Sequence, residues 1–294
     1  MEFVLFILIM INIYIVLTAS LNLILGYAGM ISVCHAAFMG IGAYVTTILM
    51  VNYHWSFLST LPLVLLFAVA ISAFFGIASL RVKGDHYIAV SFGIQFIVMS
   101  FMINLAITNG SNGFAGIPKP EIWGLRFQSN LSCFFLSLLF MLACLWFTSR
   151  LANAPFGLIL KAVREDEMAT EALGKNVVFY KVAVFIIGCS LAALAGSFFA
   201  SILSFIDPFT FSLEESIFIS CLVIIGGSGN IKGALVGAPL LIAFPEILRF
   251  MHIPSTIAAP LRQIFYGLLI ILFMRFRPQG ILSEISGKGL KESA

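Results

Sequence analysis

The chain has 294 residues, of which 61% are hydrophobic and 10% are charged, and its mean hydropathy is +1.09. Soluble chains carry about 25% charged residues, so this composition excludes a soluble globular protein and predicts a polytopic protein of the lipid bilayer. The net charge of +3 does not indicate nucleic-acid binding, because the basic residues lie near the ends of apolar segments and not along one face.

The apolar segments predict an all-α bundle of about nine transmembrane helices, roughly eight to ten being compatible with the pattern, in a single domain over residues 1–294. Each segment can cross a hydrocarbon core of ~30 Å. The predicted spans are Phe3 to Leu25, Ile31 to Val51, Phe57 to Leu80, Tyr87 to Ile107, Leu131 to Phe147, Val182 to Ile206, Leu213 to Ile225, Ala234 to Phe250 and Pro260 to Phe276. The first lacks the features of a signal peptide, so we expect it to be retained.

A glycine-rich passage from Gly26 to Tyr44 connects the first two spans. Glycine at this density predicts either a broken or re-entrant segment near a transport pathway or the close packing of helices. His35 lies in this passage. Because an ionisable residue is costly inside a membrane, His35 is a candidate for contacting a substrate or a proton, and a packing histidine with satisfied hydrogen bonds is the alternative.

Two polar connections follow. The turn from Arg81 to Tyr87 carries basic residues and is predicted to be cytoplasmic, where it either touches a partner or simply follows the positive-inside bias. The loop from Thr108 to Asn130 is rich in turn-forming residues and is predicted on the outer face. It is either a surface that meets a delivered substrate or its carrier, or an ordinary connector.

The interval from Arg150 to Lys181 is the only long polar stretch between spans and contains nine charged residues. Pro155 can open a helix and Gly174 can end one. Apolar residues between them recur at spacings near three and four, which predicts one helix outside the bilayer with one face against protein and one toward water. This helix is either a solvated connector or a docking element for a soluble partner.

The distribution of Lys and Arg predicts the orientation of the chain. If the interval from Arg150 to Lys181 is cytoplasmic, alternation of the spans places 12 of the 16 basic residues on the inner side. Arg275, Arg277, Lys288 and Lys291 belong to that inner set, so the C-terminus is predicted to be cytoplasmic.

Two stripes of small residues at intervals of four predict close contacts between helices. The stripes are Gly188, Ala192, Gly196 and Ala200, and Gly229, Gly233 and Gly237. The string from Gly226 to Gly233 lacks the Gly-Lys-Ser/Thr ending of a phosphate-binding loop, so nucleotide binding is not predicted.

Few side chains in the sequence are candidates for catalysis or for binding a ligand or metal. Asp207, Glu214 and Glu215 bracket a predicted outer turn and either receive an amino group or face water, and Glu246 with Arg249 is predicted as a pair on a helix surface. The five cysteines are predicted to be free buried thiols, and the four scattered histidines do not predict a metal site. Without paired carboxylates or a nucleophile–base set, we expect no catalytic residues, metal or cofactor in this chain.

Several of these motifs carry a family resemblance. Pro155-Phe156-Gly157, the run from Ala162 to Glu167, and Glu171-Ala172-Leu173-Gly174 resemble the coupling segment of the inner-membrane permeases of ATP-binding cassette (ABC) importers, most closely the LivM type of the branched-chain amino acid family. The passage from Gly26 to Tyr44 resembles the first signature of the LivM and LivH permeases. The string from Thr108 to Pro118 is similar to a family loop in which Asn109 is often glycine.

The resemblance implies two sets of functional residues. The ATPase-coupling set is Arg164, Glu165, Asp166, Glu167, Glu171, Ala172, Leu173 and Gly174. The candidate set for the substrate pathway is Gly26, Tyr27, Gly29, Ser32, His35, Gly40 and Gly42.

The resemblance also implies a function. It indicates a permease subunit in a bacterial cytoplasmic (inner) membrane that imports leucine, isoleucine or valine by alternating access. Its partners would be a second homologous permease, two ATP-binding subunits that use ATP and Mg²⁺, and an extracytoplasmic solute-binding protein. A permease for urea or short amides is the close alternative. An ion-coupled carrier is the more distant one, because it needs intramembrane coupling charges, which are scarce here.

Overall fold

The computed structural model describes residues 2–79, 86–122, 125–127 and 129–250, and residues 264, 267–268, 271–272, 275 and 280–282 nearer the C-terminus. These residues form a helical bundle with short extended segments, which confirms the predicted all-α class. The helices are α1 Glu2–Asn22, continued by a π-helix Leu23–Tyr27, α2 His35–Asn52, α3 Phe57–Ser79, α4 His86–Asn104, α5 Asn130–Ala152, α6 Pro155–Glu165, α7 Glu167–Ala172, α8 Val177–Leu203, α9 Leu213–Gly226 and α10 Ile231–Phe250. The two-residue strands are β1 Phe114–Ala115, β2 Glu121–Ile122, β3 Leu125–Arg126 and β4 Phe205–Ile206.

Within the described residues, six helices are long and apolar enough to cross a membrane, namely α1 with its π-helix, α2, α3, α4, α5 and α8. Helices α9 and α10 meet at a bend of 119°. With 14 residues, α9 is about 21 Å long and shorter than a hydrocarbon core. The count of about nine spans therefore stays a prediction.

Some sequence predictions lie outside the described residues. These are most of the predicted span from Pro260 to Phe276, the basic part of the turn from Arg81 to Tyr87, the side chains of Glu246 and Arg249, and the basic residues Arg277, Lys288 and Lys291.

Helix α1 lies in the interior and is hydrogen-bonded to three other helices. Asn12 donates from Nδ2 to Ser137 Oγ of α5 at 3.1 Å, and the Tyr14 hydroxyl donates to Glu215 Oε1 of α9 at 2.6 Å. Ser20 Oγ lies 2.8 Å from Nε2 of His35 in α2. A polar group in an apolar setting is costly unless it is paired, so these contacts fix the rotation and the height of α1 in the bundle.

Helices α2 and α8 pack together with their backbones in contact. A Cβ on Gly42 would collide with the carbonyl oxygen of Ala193, and a Cβ on Gly196 would collide with that of Met39. Ser197 Oγ donates to the carbonyl of Gly42 at 3.3 Å. The missing side chains let the two helix axes approach closely, which favours association where lipid supplies no hydrophobic drive.

Helices α9 and α10 approach each other through glycines as well. A Cβ on Gly233 would lie 2.6 Å from the carbonyl oxygen of Gly226, and a Cβ on Gly237 would lie closer still to that of Leu222. Gly229, which the sequence places in the same stripe, is not in the helix. It lies in the turn before α10 with φ +84°, because α10 begins only at Ile231.

The glycine-rich passage between the first two spans contains a true interruption. Residues 28–34 are not helical, and Gly29 has φ +70°, a conformation that lacks the Cβ penalty only in glycine. The second helix therefore starts at His35 and not at Ile31 as predicted. The chain is non-helical at the start of the passage, and Gly42 packs against a neighbouring helix further along, as the packing interpretation expects. A position of this segment near a transport pathway stays a prediction.

The end of the bundle distant from α6 is closed by a short antiparallel pair, β1 with β4, in which Phe114 pairs with Ile206. Gly113 lies directly against the Ile206 carbonyl with φ +67°. Asn109 has φ +61°, which asparagine tolerates, and its Nδ2 donates to the Gly113 carbonyl at 2.7 Å. The left-handed backbone conformation and this hydrogen bond explain why asparagine is tolerated at position 109.

The prediction of one helix from Pro155 to Gly174 is wrong. The chain forms two helices, α6 and α7, because Asp166 is extended (φ −155°, ψ 110°) and its carboxylate accepts from the backbone of Ala169 at 3.0 Å, capping α7. The polar interval is also shorter than predicted. Helix α8 begins at Val177 because Asn176 Oδ1 caps it, accepting from the Phe179 backbone at 3.0 Å.

Candidate functional site

Helix α6 is held against the bundle by one apolar face. Leu160 and Val163 are each 1% exposed, and the rings of Phe156 and Tyr180 lie 5.5 Å apart. Gly157 has no room for a Cβ next to the Ala152 carbonyl oxygen, so the start of α6 is pressed onto the end of α5. The helix therefore has an inward face and cannot rotate without breaking these contacts.

Beyond α6 the chain projects from the bundle. Residues 165–169 and 171–176 are exposed, and they include two large apolar side chains, Met168 at 82% and Leu173 at 78% exposure. The predicted coupling residues Glu165, Asp166, Glu167, Glu171, Ala172, Leu173 and Gly174 all belong to this exposed segment, which we call the α7 knob (residues 165–176). Exposed apolar side chains in a segment that carries four acidic residues suit a partner groove with an apolar floor and basic groups at its edge.

Arg164 differs from the other predicted coupling residues because its side chain points inward. Its Nη1 donates to the carbonyl oxygen of Gly26 at 2.6 Å, and its Nη2 donates to Glu165 Oε1 at 3.0 Å. Only 31% of the Arg164 side chain is exposed. One turn earlier, the ammonium of Lys161 lies 5.2 Å from the centre of the Tyr27 ring. Two cations of α6 thus contact the π-helix that ends α1.

The same end of α1 contacts the turn between α9 and α10. Asn22 Oδ1 accepts from the Gly229 backbone at 2.9 Å, and Asn22 Nδ2 donates to the Asn230 carbonyl at 2.9 Å. Gly26 also leaves no space for a Cβ beside Gly229. The structure therefore brings together α6, the end of α1 and the α9–α10 turn, which lie far apart in sequence.

The candidate pathway residues lie around the start of α2. Gly26, Tyr27, Ser32, His35, Gly40 and Gly42 are buried, and Gly29 is exposed beside Arg164. Ser32 Oγ lies 3.2 Å from Sγ of Cys34, and His35 Nε2 is bound to Ser20 while its Nδ1 has no hydrogen-bond partner. Their role in a substrate pathway stays a prediction.

Sequence reasoning missed a polar junction centred on Gln95 of α4. Its Oε1 accepts from the Ala37 backbone and from Ser216 Oγ, both at 3.0 Å, and its Nε2 donates to the Phe211 carbonyl at 2.7 Å. Ser216 Oγ in turn accepts from the Ala36 backbone at 2.9 Å. The start of α2 is therefore capped by α4 and α9. The signal was a lone amide within an apolar span, a residue type that must be paired inside a membrane.

The acidic residues of the opposite end have structural partners. Asp207 Oδ1 accepts from the backbone of Thr210 at 2.7 Å and from its hydroxyl at 3.1 Å, which caps the short helix Pro208–Phe211. Glu215 accepts from Tyr14, and Glu214 is exposed. These contacts place the acidic residues beside the β1–β4 pair.

An apolar groove of about 680 Å³ lies between α2, α3 and α4. Its lining includes Ile41, Phe67, Phe74 and Met102 and is almost entirely carbon. A zwitterion would lose its hydration there without gaining partners, so this groove does not suit a polar solute.

Together these features define a multi-pass α-helical membrane protein with a projecting polar element at one end, the architecture of a transport subunit. In the described part of the chain, no three His, Cys, Asp or Glu side chains are grouped to hold a metal ion. All five cysteines are free and buried, as predicted. Residues 3–274 match the family described as the permease component of the branched-chain amino acid transport system. The chain belongs to this family.

Individual relatives agree with that assignment. The chain is 32% identical over 294 residues to the high-affinity branched-chain amino acid permease protein LivM of Salmonella typhimurium strain LT2, a comparison that covers 92% of this chain and 68% of the relative. LivM of Escherichia coli K12 gives the same values. A probable LivM of Methanocaldococcus jannaschii is 25% identical over 228 residues, covering 73% of this chain and 64% of that protein. No solved structure is significantly similar to the chain.

Proposed function

We propose that this chain is the transmembrane permease subunit of an ABC importer that moves leucine, isoleucine or valine into a bacterial cytoplasm. The observation that carries the proposal is the α7 knob, which projects apolar and acidic side chains from an otherwise apolar helical bundle. The 32% identity to two LivM proteins supports the choice of solute.

The knob is the proposed docking surface for the ATP-binding subunits. Met168 and Leu173 would enter an apolar cleft, while Glu171 would meet basic side chains at its edge. Glu167 is already paired with the ammonium of Lys181. Two such subunits, a second homologous permease and an extracytoplasmic binding protein complete the proposed assembly. ATP and Mg²⁺ are used by the ATP-binding subunits, and residues 150–181 form the cytoplasmic coupling loop of a single permease domain.

The proposed orientation places the α6 end of the bundle and the C-terminus in the cytoplasm. The backbone of Ile281 donates to the Ile225 carbonyl at 2.9 Å, which puts the segment 280–282 at the same end as Gly26 and Arg164. The β1–β4 pair then faces outward, where a binding protein delivers the solute. Closure of the ATPase pair on ATP would bring the knobs of the two permeases together and close the α6 end, and separation of the pair after hydrolysis would open that end to the cytoplasm.

Reconstitution of the complete assembly in proteoliposomes tests the proposal. We expect uptake of labelled leucine that requires ATP inside the vesicle and the binding protein outside, and little uptake of labelled urea under the same conditions. Uptake of urea without leucine would overturn the choice of solute. Leucine uptake by the purified chain alone, driven by an ion gradient without ATP, would overturn the importer assignment in favour of a secondary carrier.

A further inference from the structure

Arg164 occupies a position that a simple docking residue would not take. Its Nη1 donates to the Gly26 carbonyl at 2.6 Å, and its Cγ lies where a Cβ on Gly29 would approach to 2.8 Å. Gly26 is in the last turn of the first span, where backbone carbonyls lack partners within the helix and carry partial negative charge. The guanidinium therefore caps the first span from another element, with a charge-assisted hydrogen bond.

The contact continues beyond α1. Asn22, 1% exposed, uses both atoms of its amide on the backbone of the α9–α10 turn, at Gly229 and Asn230. Residues 280–282 also bind this region, because the backbone N–H of Leu282 donates to the carbonyl of Gly226, the last residue of α9, at 3.1 Å. These hydrogen bonds, joined by the last turns of the first span, connect α6 to the ends of α1, α9 and α10. A displacement of α6 can therefore reach all three.

We propose that Arg164 is a positioning residue that transmits the movement of the α7 knob to the first span and, through Asn22, to the α9–α10 turn, and that it takes no part in the surface that binds the ATPase. This inference rests on the proposed function and deepens it. Without these contacts, α6 would act on the bundle through its covalent connections to α5 and, by way of α7, to α8, through its apolar face and through the contact of Lys161 with Tyr27. Packed elements move as units, so a displacement of Arg164 would move the ends of α1, α9 and α10 together.

The two hydrogen-bonding groups play different parts in this path. Arg164 connects a soluble element to the bundle, so its loss should uncouple docking from transport. Asn22 connects two elements of the bundle, so its loss should leave the response of α1 but remove that of the α9–α10 turn. Asn22→Leu has similar volume and removes both hydrogen bonds to the turn.

The test compares Arg164→Gln, Arg164→Lys and Asn22→Leu with the unmodified chain, each in the complete importer with its ATPase subunits, binding protein and labelled leucine. We expect the ATPase subunits to co-purify with Arg164→Gln, leucine uptake to fall about fivefold to tenfold, and the ATP hydrolysed per leucine to rise by a similar factor. Arg164→Lys, which keeps one cationic donor, should recover part of the uptake. Asn22→Leu, which leaves the response of α1 intact, should raise the ATP hydrolysed per leucine by a smaller factor. Lys232→Gln is the control, because it removes an exposed cation from the same end of the bundle without touching α6.

Each outcome is decisive. Loss of the ATPase from Arg164→Gln during purification would place Arg164 in the docking surface. Leucine uptake by Arg164→Gln at the level of Lys232→Gln would show that the contact between Arg164 and Gly26 does not transmit movement. Either result overturns the inference. If Arg164→Gln is recovered in low yield, Arg164→Lys and Asn22→Leu are measured in its place. Full leucine uptake with a normal ratio of ATP to leucine in both of these variants would also overturn the inference. Failure of the unmodified chain to import leucine with ATP would instead overturn the proposed function.

Discussion

A methyl group on Gly196 would overlap the carbonyl oxygen of Met39, because α8 and α2 touch through their backbones at this point. Backbone atoms cannot move aside as a flexible side chain can. The contact therefore sets how closely the two most extensively packed helices of the bundle approach each other. The effect of a side chain at position 196 on stability can therefore be tested by substitution.

We expect Gly196→Ala to lower the stability of the purified protein by about 1–3 kcal/mol, as overpacking of a close interface does. Gly93→Ala is the matched control. Gly93 is exposed in α4, and a Cβ there would meet nothing within 4 Å. That substitution should be neutral or stabilising by up to about 1 kcal/mol through helix propensity. Thermal unfolding in detergent measures both, and equal melting temperatures would contradict the packing argument.

The junction at Gln95 predicts a second stability difference. Gln95→Leu keeps the volume but removes the partner of the Phe211 carbonyl and one acceptor of the Ala37 N–H and the Ser216 hydroxyl. We expect a loss of about 2 kcal/mol, because buried polar groups without partners keep their desolvation cost. Asn104→Leu in the same helix is the control, since Asn104 is exposed and bonds only to Ser100. A thermal shift as large for Asn104→Leu would argue against a special role of the junction.

The loop at the β1–β4 end contains two glycines of positive φ, one packed against backbone and one in open space. Gly113 and Gly116 both have positive φ, but only Gly113 lies against the Ile206 carbonyl, and Gly116 has open space around it. Gly116→Ala should cost about 1 kcal/mol from the left-handed conformation alone. Gly113→Ala should cost about 1–2 kcal/mol more, because its backbone (φ +67°, ψ −161°) is in a region that essentially only glycine adopts and the new Cβ forces β1 away from β4.

Limited proteolysis of this loop in detergent, together with thermal unfolding, measures the difference between the two glycines. Faster cleavage of Gly113→Ala than of Gly116→Ala is the expected result. Equal cleavage rates would mean that the strand pair does not hold the loop.

The α7 knob predicts the behaviour of a charge reversal. Glu171 is exposed near the centre of the knob, and Glu171→Arg would place a cation against the basic rim proposed for the ATPase cleft. We expect normal membrane insertion and a weakening of ATPase binding by roughly 30-fold or more. Co-purification in mild detergent and ATP-driven uptake measure this, with Glu214→Arg, an exposed reversal at the opposite end, as the control. Normal transport by Glu171→Arg would argue against the knob as the docking surface.

Several helix positions could be predicted from the sequence almost to the residue. The spans expected at Phe57 to Leu80 and Leu213 to Ile225 correspond to α3 Phe57–Ser79 and α9 Leu213–Gly226. Hydropathy locates such segments because an uninterrupted apolar helix satisfies its own backbone hydrogen bonds. It located the ends of α5 and α8 less well. Those helices continue into polar residues, where side-chain caps such as Asn176 decide the boundary.

The sequence by itself determined the class of protein, the positions of most helices and the exposed polar element, because these follow from local composition and from the cost of placing charge in hydrocarbon. Only the tertiary structure decided that Arg164 turns inward to Gly26, that Asn22 holds the α9–α10 turn, and that Gln95 caps α2. In the first two contacts the partners are more than 100 residues apart, and in the third they are 58 apart. The identity of a hydrogen-bond partner depends on which helices pack together, a property that no local pattern of residues contains.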